Sequence, residues 1–250
     1  MFGLLSGASY PLRALAVLRR TPGLWRYVWI PILVNLAVGV TVYLGLLLAG
    51  FRAIETITAS LPSWAAALEV LLRVLLVVAL LLATGLVLVR FGVVLGSPWY
   101  STLSERLEAM RGVPGPRGGP SGLGGALTDV GRALRFEGQK LLMVLAVSLL
   151  LLLLNLVPVA GSLAAGVGGI ALGTTLACLD FLDAPLERRR LGFRQKLAVI
   201  RERLPASAGF GLACLGLVSL PFLNLLAIPL CVAAGTLFFC ERIAGERPVG

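Results

Sequence analysis

Two long stretches without a charged residue constrain this chain more than any other feature of its sequence. Residues 141–179 form one uncharged stretch of 39 residues, and residues 204–240 form another of 37. About 20 apolar helical residues cross the hydrocarbon core of a bilayer, so each stretch is long enough to enter a membrane and return. Only 14% of the 250 residues are charged and 58% are apolar, which excludes an ordinary water-soluble domain. We therefore predict an all-α polytopic membrane protein.

Two shorter apolar segments precede these stretches. The first is almost free of charge, and we predict a transmembrane helix at residues 22–51. The second is flanked by Arg73 and Arg90, whose long side chains can extend toward the membrane surface. Its apolar character continues past both arginines, so we predict a second, longer transmembrane helix at residues 65–95.

The remaining segments are predicted to lie outside the hydrocarbon core. A new helix is expected to begin at Ser97-Pro98, because proline suits a first helical turn. The segment after that helix contains seven glycines and three prolines, which is typical of a flexible linker. The complete predicted order is an interfacial helix (2–20), the two transmembrane helices, an amphipathic helix (97–111), the linker (112–125), a helix with the first long stretch (126–180), a basic segment (181–203) and the second long stretch (204–241).

Both long stretches contain helix-breaking residues near their middles. Asn155 and Pro158 interrupt the first, and Pro221 and Asn224 interrupt the second. Each stretch is then either two crossings joined by a tight turn or a re-entrant hairpin that returns to the same side. Paired, interrupted segments indicate a transporter's substrate path, whereas the small residues beside the breaks also suit tight helix packing.

Arginine placement predicts the orientation in the membrane. Basic residues are concentrated before the first transmembrane helix, after the second, and between the two long stretches. The positive-inside rule then places both termini and both basic loops in the cytoplasm, and only the 52–64 loop outside. Because this rule accounts for the net charge of +10, we predict no nucleic-acid partner.

The sequence offers no enzyme site. It contains no histidine, which removes histidine-ligated metals and any catalytic pair that needs an imidazole. No nucleophile is accompanied by a base, so we predict no catalytic residue, no metal and no cofactor. The four cysteines are predicted to be packed thiols, because they lie in apolar segments without C-x-x-C spacing: Cys178, Cys214, Cys231 and Cys240.

The segment before the first transmembrane helix suits an anion. The first amides of a helix lack intrahelical partners and carry partial positive charge. Gly23 lets an anion approach the backbone, and Arg26 can add a fork of donors. The same residues also fit a capped helix with one orientation-setting arginine, and spacing alone leaves both interpretations open.

Other charged residues are candidates for a pore or ionic network. Arg132 and Arg135 are three residues apart and share a helix face just before the first long stretch, where they could guard a pore mouth. Glu105 and Glu137 are the acidic candidates, and Glu108 could join a network with nearby arginines. A solvated helix face and positive-inside charge explain the same residues. The arginines at 188–190 would attract anionic membrane lipids.

Motifs in a fixed order run through residues 5–242. They are Pro22-Gly23-Leu24-Trp25-Arg26, Ile30-Pro31-Ile32-Leu33-Val34-Asn35, Ser97-Pro98-Trp99 with Leu103-Ser104-Glu105-Arg106-Leu107-Glu108, Asp129-Val130-Gly131-Arg132, Glu137-Gly138-Gln139-Lys140, and Leu220-Pro221-Phe222-Leu223-Asn224 with Ile228-Pro229. In this order and spacing the chain resembles the CysZ family of sulfate permeases, within the wider etoposide-induced-protein superfamily.

The resemblance implies an architecture and a function. It implies two long transmembrane helices, two half-membrane hairpins, a homo-oligomer, and import of sulfate or a related oxyanion across the inner (plasma) membrane. It implies a sulfate site at Gly23, Leu24 and Arg26, although Trp25 stands where the family pattern has an arginine. It also suggests that residues near Glu105, Arg132 and Glu137 line or brace the path. The alternatives are a non-transporting membrane scaffold and an ordinary six-helix membrane protein.

Overall fold

A computed structural model of the chain describes residues 2–59, 66–113, 115, 123–157, 159–220 and 224–245. These residues form helices and short connections, with no strand among them. The α-helices are α1 (Phe2–Ala8), α2 (Tyr10–Arg20), α3 (Arg26–Thr58), α4 (Ala66–Met110), α5 (Leu123–Leu154), α6 (Ala160–Phe181), α7 (Asp183–Arg188), α8 (Phe193–Glu202), α9 (Ala206–Ser219) and α10 (Asn224–Phe238). A 3₁₀ turn at Pro22–Leu24 precedes α3, and a π-helical turn at Phe239–Ala244 follows α10.

The chain divides into two compact units. One unit is Arg26–Trp99, and the other combines Met1–Trp25 with Tyr100–Gly250. Within the first unit, the side chain of Leu76 lies against Gly50, and Arg73 donates a hydrogen bond to Glu55 over 3.1 Å. The second unit holds the short helices and both long apolar stretches.

Large apolar side chains are exposed along the long helices. Leu81 and Leu82 are 62% and 63% exposed, and the two middle turns of α3 expose Leu44 and Leu48 in the same way. Water does not tolerate so much contiguous apolar surface, so hydrocarbon must be the solvent of these faces. Five helical segments are long and apolar enough to cross a membrane: Pro22–Thr58, Ala66–Gly85, Gly131–Leu154, Ala160–Phe181 and Leu226–Ala244. The chain is therefore a multi-pass helical membrane protein.

Helix α4 does not restart at Ser97-Pro98 as the sequence predicts. It runs from Ala66 to Met110 as one helix with Pro98 in its interior. Proline removes only one donor from the helical ladder, and a helix continues through it when its neighbouring turns are otherwise favourable. The two segments predicted at 65–95 and 97–111 are thus one element.

The N-terminal segment is two helices instead of the single helix predicted at 2–20. Pro11 lacks an amide hydrogen and is best accommodated in a first helical turn, and α2 accordingly begins at Tyr10, after a turn at Ser9. Helix α1 packs against α9, and α2 packs against α10. Tyr10 is fully buried there, with its ring 5.0 Å from the ring of Phe238.

Both long apolar stretches are broken near their middles. The first is interrupted between Leu154 and Ala160, where Asn155 is exposed and Val159 adopts a φ of 61°. The second is interrupted between Ser219 and Asn224. Two of the predicted tip residues, Pro158 and Pro221, lie outside the described residues, as does most of the predicted linker at 112–125.

Glycines allow the helices of the two stretches to pack closely against the backbone of neighbouring helices. A Cβ atom on Gly209 of α9 would collide with the carbonyl oxygen of Leu4 in α1, and one on Gly235 of α10 would collide with that of Phe181. On the other side of α9, Gly211 lies against Thr174 of α6. Close approach at small residues is the usual basis of helix association in lipid. The four cysteines are free thiols and all are buried, as predicted.

We expect Gly209→Leu to destabilise the protein, because the new side chain would enter the space occupied by the α1 backbone. Gly216→Leu on the same helix is the matched control, since no atom lies within 4 Å of its Cβ position. The measurement is the apparent Tm of the purified protein in detergent. Equal Tm values for the two variants would contradict the packing of α1 on α9.

Candidate anion-handling site

The turn before α3 presents an exposed glycine. In the 3₁₀ turn Pro22–Leu24, the amide of Leu24 donates to the carbonyl of Thr21 over 3.0 Å, and the amide of Trp25 donates to that of Pro22 over 3.1 Å. Leu24 is only 5% exposed and anchors the turn. Gly23 is exposed, with no atom within 4 Å of its Cβ position, so a ligand can approach its backbone directly.

Arg26 is the first residue of α3 and its side chain is exposed. Its Nη2 donates a hydrogen bond to the Tyr27 hydroxyl over 2.7 Å, and its Cζ lies 4.7 Å from the centroid of the Tyr27 ring. This stacking holds the guanidinium group at the start of the helix, while its remaining donors face outward. Gly23 and Leu24 thus belong to an open turn, and Arg26 is the first residue of the helix that follows in the sequence.

A second polar cluster is built around Glu108 of α4. The Glu108 side chain is only 3% exposed, and two arginines that follow each other in sequence compensate its charge. Arg188 donates to one carboxylate oxygen, and both terminal nitrogens of Arg189 donate to the other over 3.1 Å. Such charge-assisted pairs are strong when they are removed from water.

Hydroxyl groups extend this cluster to α10. Arg188 also donates to Ser104 Oγ over 2.6 Å and to the carbonyl of Ser101 over 2.9 Å. Thr236 Oγ1 lies 2.8 Å from Ser104 Oγ, and the guanidinium of Arg189 lies 4.2 Å from the centroid of the Phe239 ring. The cluster therefore connects α4, the end of α7, and the last helical turns of the chain.

The sequence puts Glu108 forward only beside Glu105, as part of a possible ionic network with nearby arginines. Glu105 is exposed, whereas Glu108 lies on the buried face of α4. The signal was present in the sequence, because Tyr100, Leu103 and Leu107 recur at helical spacing and Glu108 continues that face. A carboxylate on the apolar face of a helix indicates a buried partner.

A third cluster surrounds Lys196 of α8, which is fully buried. Its Nζ donates to Asp183 over 2.6 Å and to Glu187 over 2.7 Å, and it lies 4.0 Å from the centroid of the Phe136 ring. Burial raises the pKa of the Asp183 carboxyl, and the Lys196 charge counteracts that rise. Arg132, one of the predicted network residues, pairs with Glu187 over 3.1 Å.

The other predicted network residues lie on α5 near this cluster. Glu137 accepts a hydrogen bond of 2.8 Å from Lys140, which also donates to Asp180 over 3.0 Å and so connects α5 to the end of α6. Arg135 is exposed and lines a cavity of about 560 Å³ together with Arg132. Glu105 forms no ion pair within the described part of the chain.

A family model described as "Sulfate transporter CysZ/Etoposide-induced protein 2.4" matches residues 10–229. The chain belongs to this family. Curated relatives are similar over most of their length: "Sulfate transporter CysZ" of Pseudomonas fluorescens (strain Pf0-1) is 29% identical over 98% of this chain and 97% of its own. The protein of the same name from Pseudomonas aeruginosa (strain PAO1) is 29% identical over 97% of each chain. That of Pectobacterium atrosepticum is 28% identical over 88% of this chain and 80% of its own.

We expect Glu108→Gln to destabilise this CysZ-family protein by about 3 kcal/mol, because the substitution leaves two arginines without a compensating charge. The expected measurement is an apparent Tm several degrees below that of the unmodified protein. Glu105→Gln removes the same charge from the exposed face of α4, and its Tm should stay unchanged. A Tm drop of the same size in both variants would argue against the buried network.

Proposed function

We propose that this protein is an inner-membrane permease that moves sulfate, or a closely related oxyanion, into the cell. The observation that carries the proposal is the family match over residues 10–229, together with relatives that cover nearly the whole chain and are named sulfate transporters. The five membrane-length apolar helices agree with transport. A scaffold role has no comparable support, because no relative named above carries such a name.

The turn before α3 is proposed as the first binding site for the anion. A sulfate ion loses hydration when it binds, and hydrogen-bond donors must replace the lost water. The exposed backbone at Gly23, the first amides of α3 and the outward donors of Arg26 supply such groups. Leu24, which is buried, holds the turn in place. Because Trp25 replaces an arginine of the family pattern, we propose that backbone amides supply most of the donors here.

The second long stretch is proposed to be a re-entrant hairpin. Helix α9 has 14 residues and reaches only about 21 Å, against a hydrocarbon core of about 30 Å, so it is too short to cross by itself, whereas the segment Leu226–Ala244 is long enough. For α5 and α6, which are each long enough to cross, the same arrangement is proposed from the family resemblance, with the turn at Asn155 inside the membrane region. We also propose that both termini are cytoplasmic and that the apolar faces contact membrane lipids. The family resemblance further suggests a homo-oligomer.

We expect the purified protein in liposomes to take up radiolabelled sulfate, and Arg26→Ala to lower that uptake at least about tenfold, because a charge-assisted contact with the anion is lost. Arg19→Ala removes an exposed arginine near the end of α2 and should leave uptake unchanged. Absence of sulfate uptake by the unmodified protein would refute the proposed function. Equal losses in both variants would refute only the placement of the site at Arg26.

Cysteine labelling tests the membrane arrangement, because the four native cysteines are buried and give little background. In a re-entrant hairpin, Asn155→Cys should resist a membrane-impermeant reagent applied to intact cells. Ala59→Cys is the external reference and Gly138→Cys the internal one, since both positions are exposed. Labelling of Asn155→Cys as fast as Ala59→Cys would show that α5 and α6 each cross the membrane.

A further inference from the structure

Helices α1 and α2 lie where the second long apolar stretch begins and ends. Gly7 of α1 lies against the backbone of Ala206, at the start of that stretch. In α2, Arg13 pairs over 3.3 Å with Glu241, the first charged residue after the stretch. The hydrocarbon core excludes charges, so the ends of a charge-free stretch mark its boundary. Both helices are therefore at the level where lipid meets water.

The outer face of these two helices exposes leucines. Leu5 of α1 is 66% exposed and Leu12 of α2 is 71% exposed. The opposite faces of the helices are already covered, because α1 packs against α9 and α2 packs against α10. At the lipid–water boundary, exposed leucines are stabilised when they enter the outer part of the acyl chains.

The outer face of α2 also carries two arginines. Arg19 lies two helical turns after Leu12, and the exposed Ala16 lies between them on the same face. Arg19 and Arg20 are exposed, and neither forms an ion pair within the described part of the chain. The first acidic residue of the sequence is Glu55, so neither α1 nor α2 contains a carboxylate of its own.

Contacts within the protein account for Arg13 but not for these two arginines. Arg13 pairs with Glu241, and its guanidinium lies 5.0 Å from the centroid of the Tyr10 ring. The carbonyl end of α2 favours cations in its last turn, but that interaction leaves the guanidinium donors of Arg19 and Arg20 without acceptors. The phosphate of an anionic lipid accepts forked hydrogen bonds from such donors, and an anionic surface attracts their charge.

We propose that α1 and α2 form a surface that binds anionic phospholipids of the bilayer, with Leu5 and Leu12 among the acyl chains and Arg19 and Arg20 on lipid phosphates. The apolar and basic groups lie on one face, which is the arrangement of a helix that lies in the membrane surface. This inference concerns the attachment of α1 and α2 to the bilayer and is independent of the proposed transport of sulfate.

The test measures which lipids touch this face. Ala16→Cys, in the middle of the face, is labelled with a thiol-reactive fluorophore, since the four native cysteines are buried. The full-length protein is placed in phosphatidylcholine nanodiscs that contain a small fraction of brominated phosphatidylglycerol, or the same fraction of brominated phosphatidylcholine. Bromine quenches only on contact, so the ratio of the two quenching efficiencies gives the local preference for the anionic lipid.

We expect a preference of about tenfold for phosphatidylglycerol, because two arginines contribute to it. Arg19→Gln combined with Arg20→Gln should bring the preference close to one. Arg135→Gln combined with Arg194→Gln removes the same charge from exposed positions on α5 and α8 and should keep the preference. The apparent Tm should stay unchanged in both double variants, because all four side chains are exposed.

The leucines are tested in the same way. Leu5→Ser combined with Leu12→Ser should lower the quenching by both brominated lipids at an unchanged Tm, because both side chains are exposed. Equal quenching by the two lipids when both arginines are present would overturn the proposal, as would the same loss of preference in the α5 and α8 control. Quenching by neither lipid would also overturn it, and would mean that water or a second copy of the chain covers this face.

Discussion

The carboxylate of Glu108 is withdrawn from water, and two neighbouring guanidinium groups compensate it. A buried charge is tolerated only with full pairing, so this contact fixes the relative positions of α4, α7 and the end of α10. Lys196 is a buried charge of the opposite sign. Asp183 and Glu187 compensate it, and these ion pairs connect α7 to α8. Ion pairs between side chains thus hold the short helices between the two long apolar stretches, whereas close glycine contacts hold the stretches themselves.

Glycine contacts and ion pairs stabilise different parts of the chain because one part lies in lipid and the other near water. In lipid there is little hydrophobic drive between helices, and close backbone packing takes its place, as at Gly209 and Gly235. Near the water, arginines and carboxylates form ion pairs, and the more exposed member of a pair stays partly hydrated. Cavities lined by charge arise at the boundary, where the beginning of α5 meets α7 and α8.

Much of the helical layout could be predicted from the sequence, and the reasons for the exceptions are physical. The breaks near Asn155 and before Asn224 were visible because asparagine and proline interrupt an otherwise uniform apolar stretch. Pro98 was misread as a helix start, since a single proline does not show whether the neighbouring turns compensate for it. The split of the N-terminal segment at Ser9 follows from Pro11, a signal that the prediction of one helix overlooked.

The candidate site was harder to predict, because it depends on contacts between distant segments. The run Arg188-Arg189-Arg190 looks like one basic patch in sequence, but a helix end separates its members. Arg188 and Arg189 pair with Glu108, whereas Arg190 lines the cavity of about 560 Å³ together with Arg132 and Arg135. No periodicity reveals such a division, since the change of direction comes from one left-handed residue. The hydrogen bond from Arg26 to Tyr27 joins neighbouring residues, yet the sequence alone does not predict it.

The contacts between the two ends of the chain have a consequence for its biosynthesis. Arg13 and Arg111 both pair with Glu241, Arg242 donates to Ser6, and α1 packs against α9. Helices α1 and α2 therefore find their partners only after α9 and α10 have been synthesised. Until then the faces of α1 and α2 that α9 and α10 cover in the folded protein lack these partners. Completion of this fold is consequently a late event, and a prematurely terminated chain would expose α1 and α2 to proteolytic quality control.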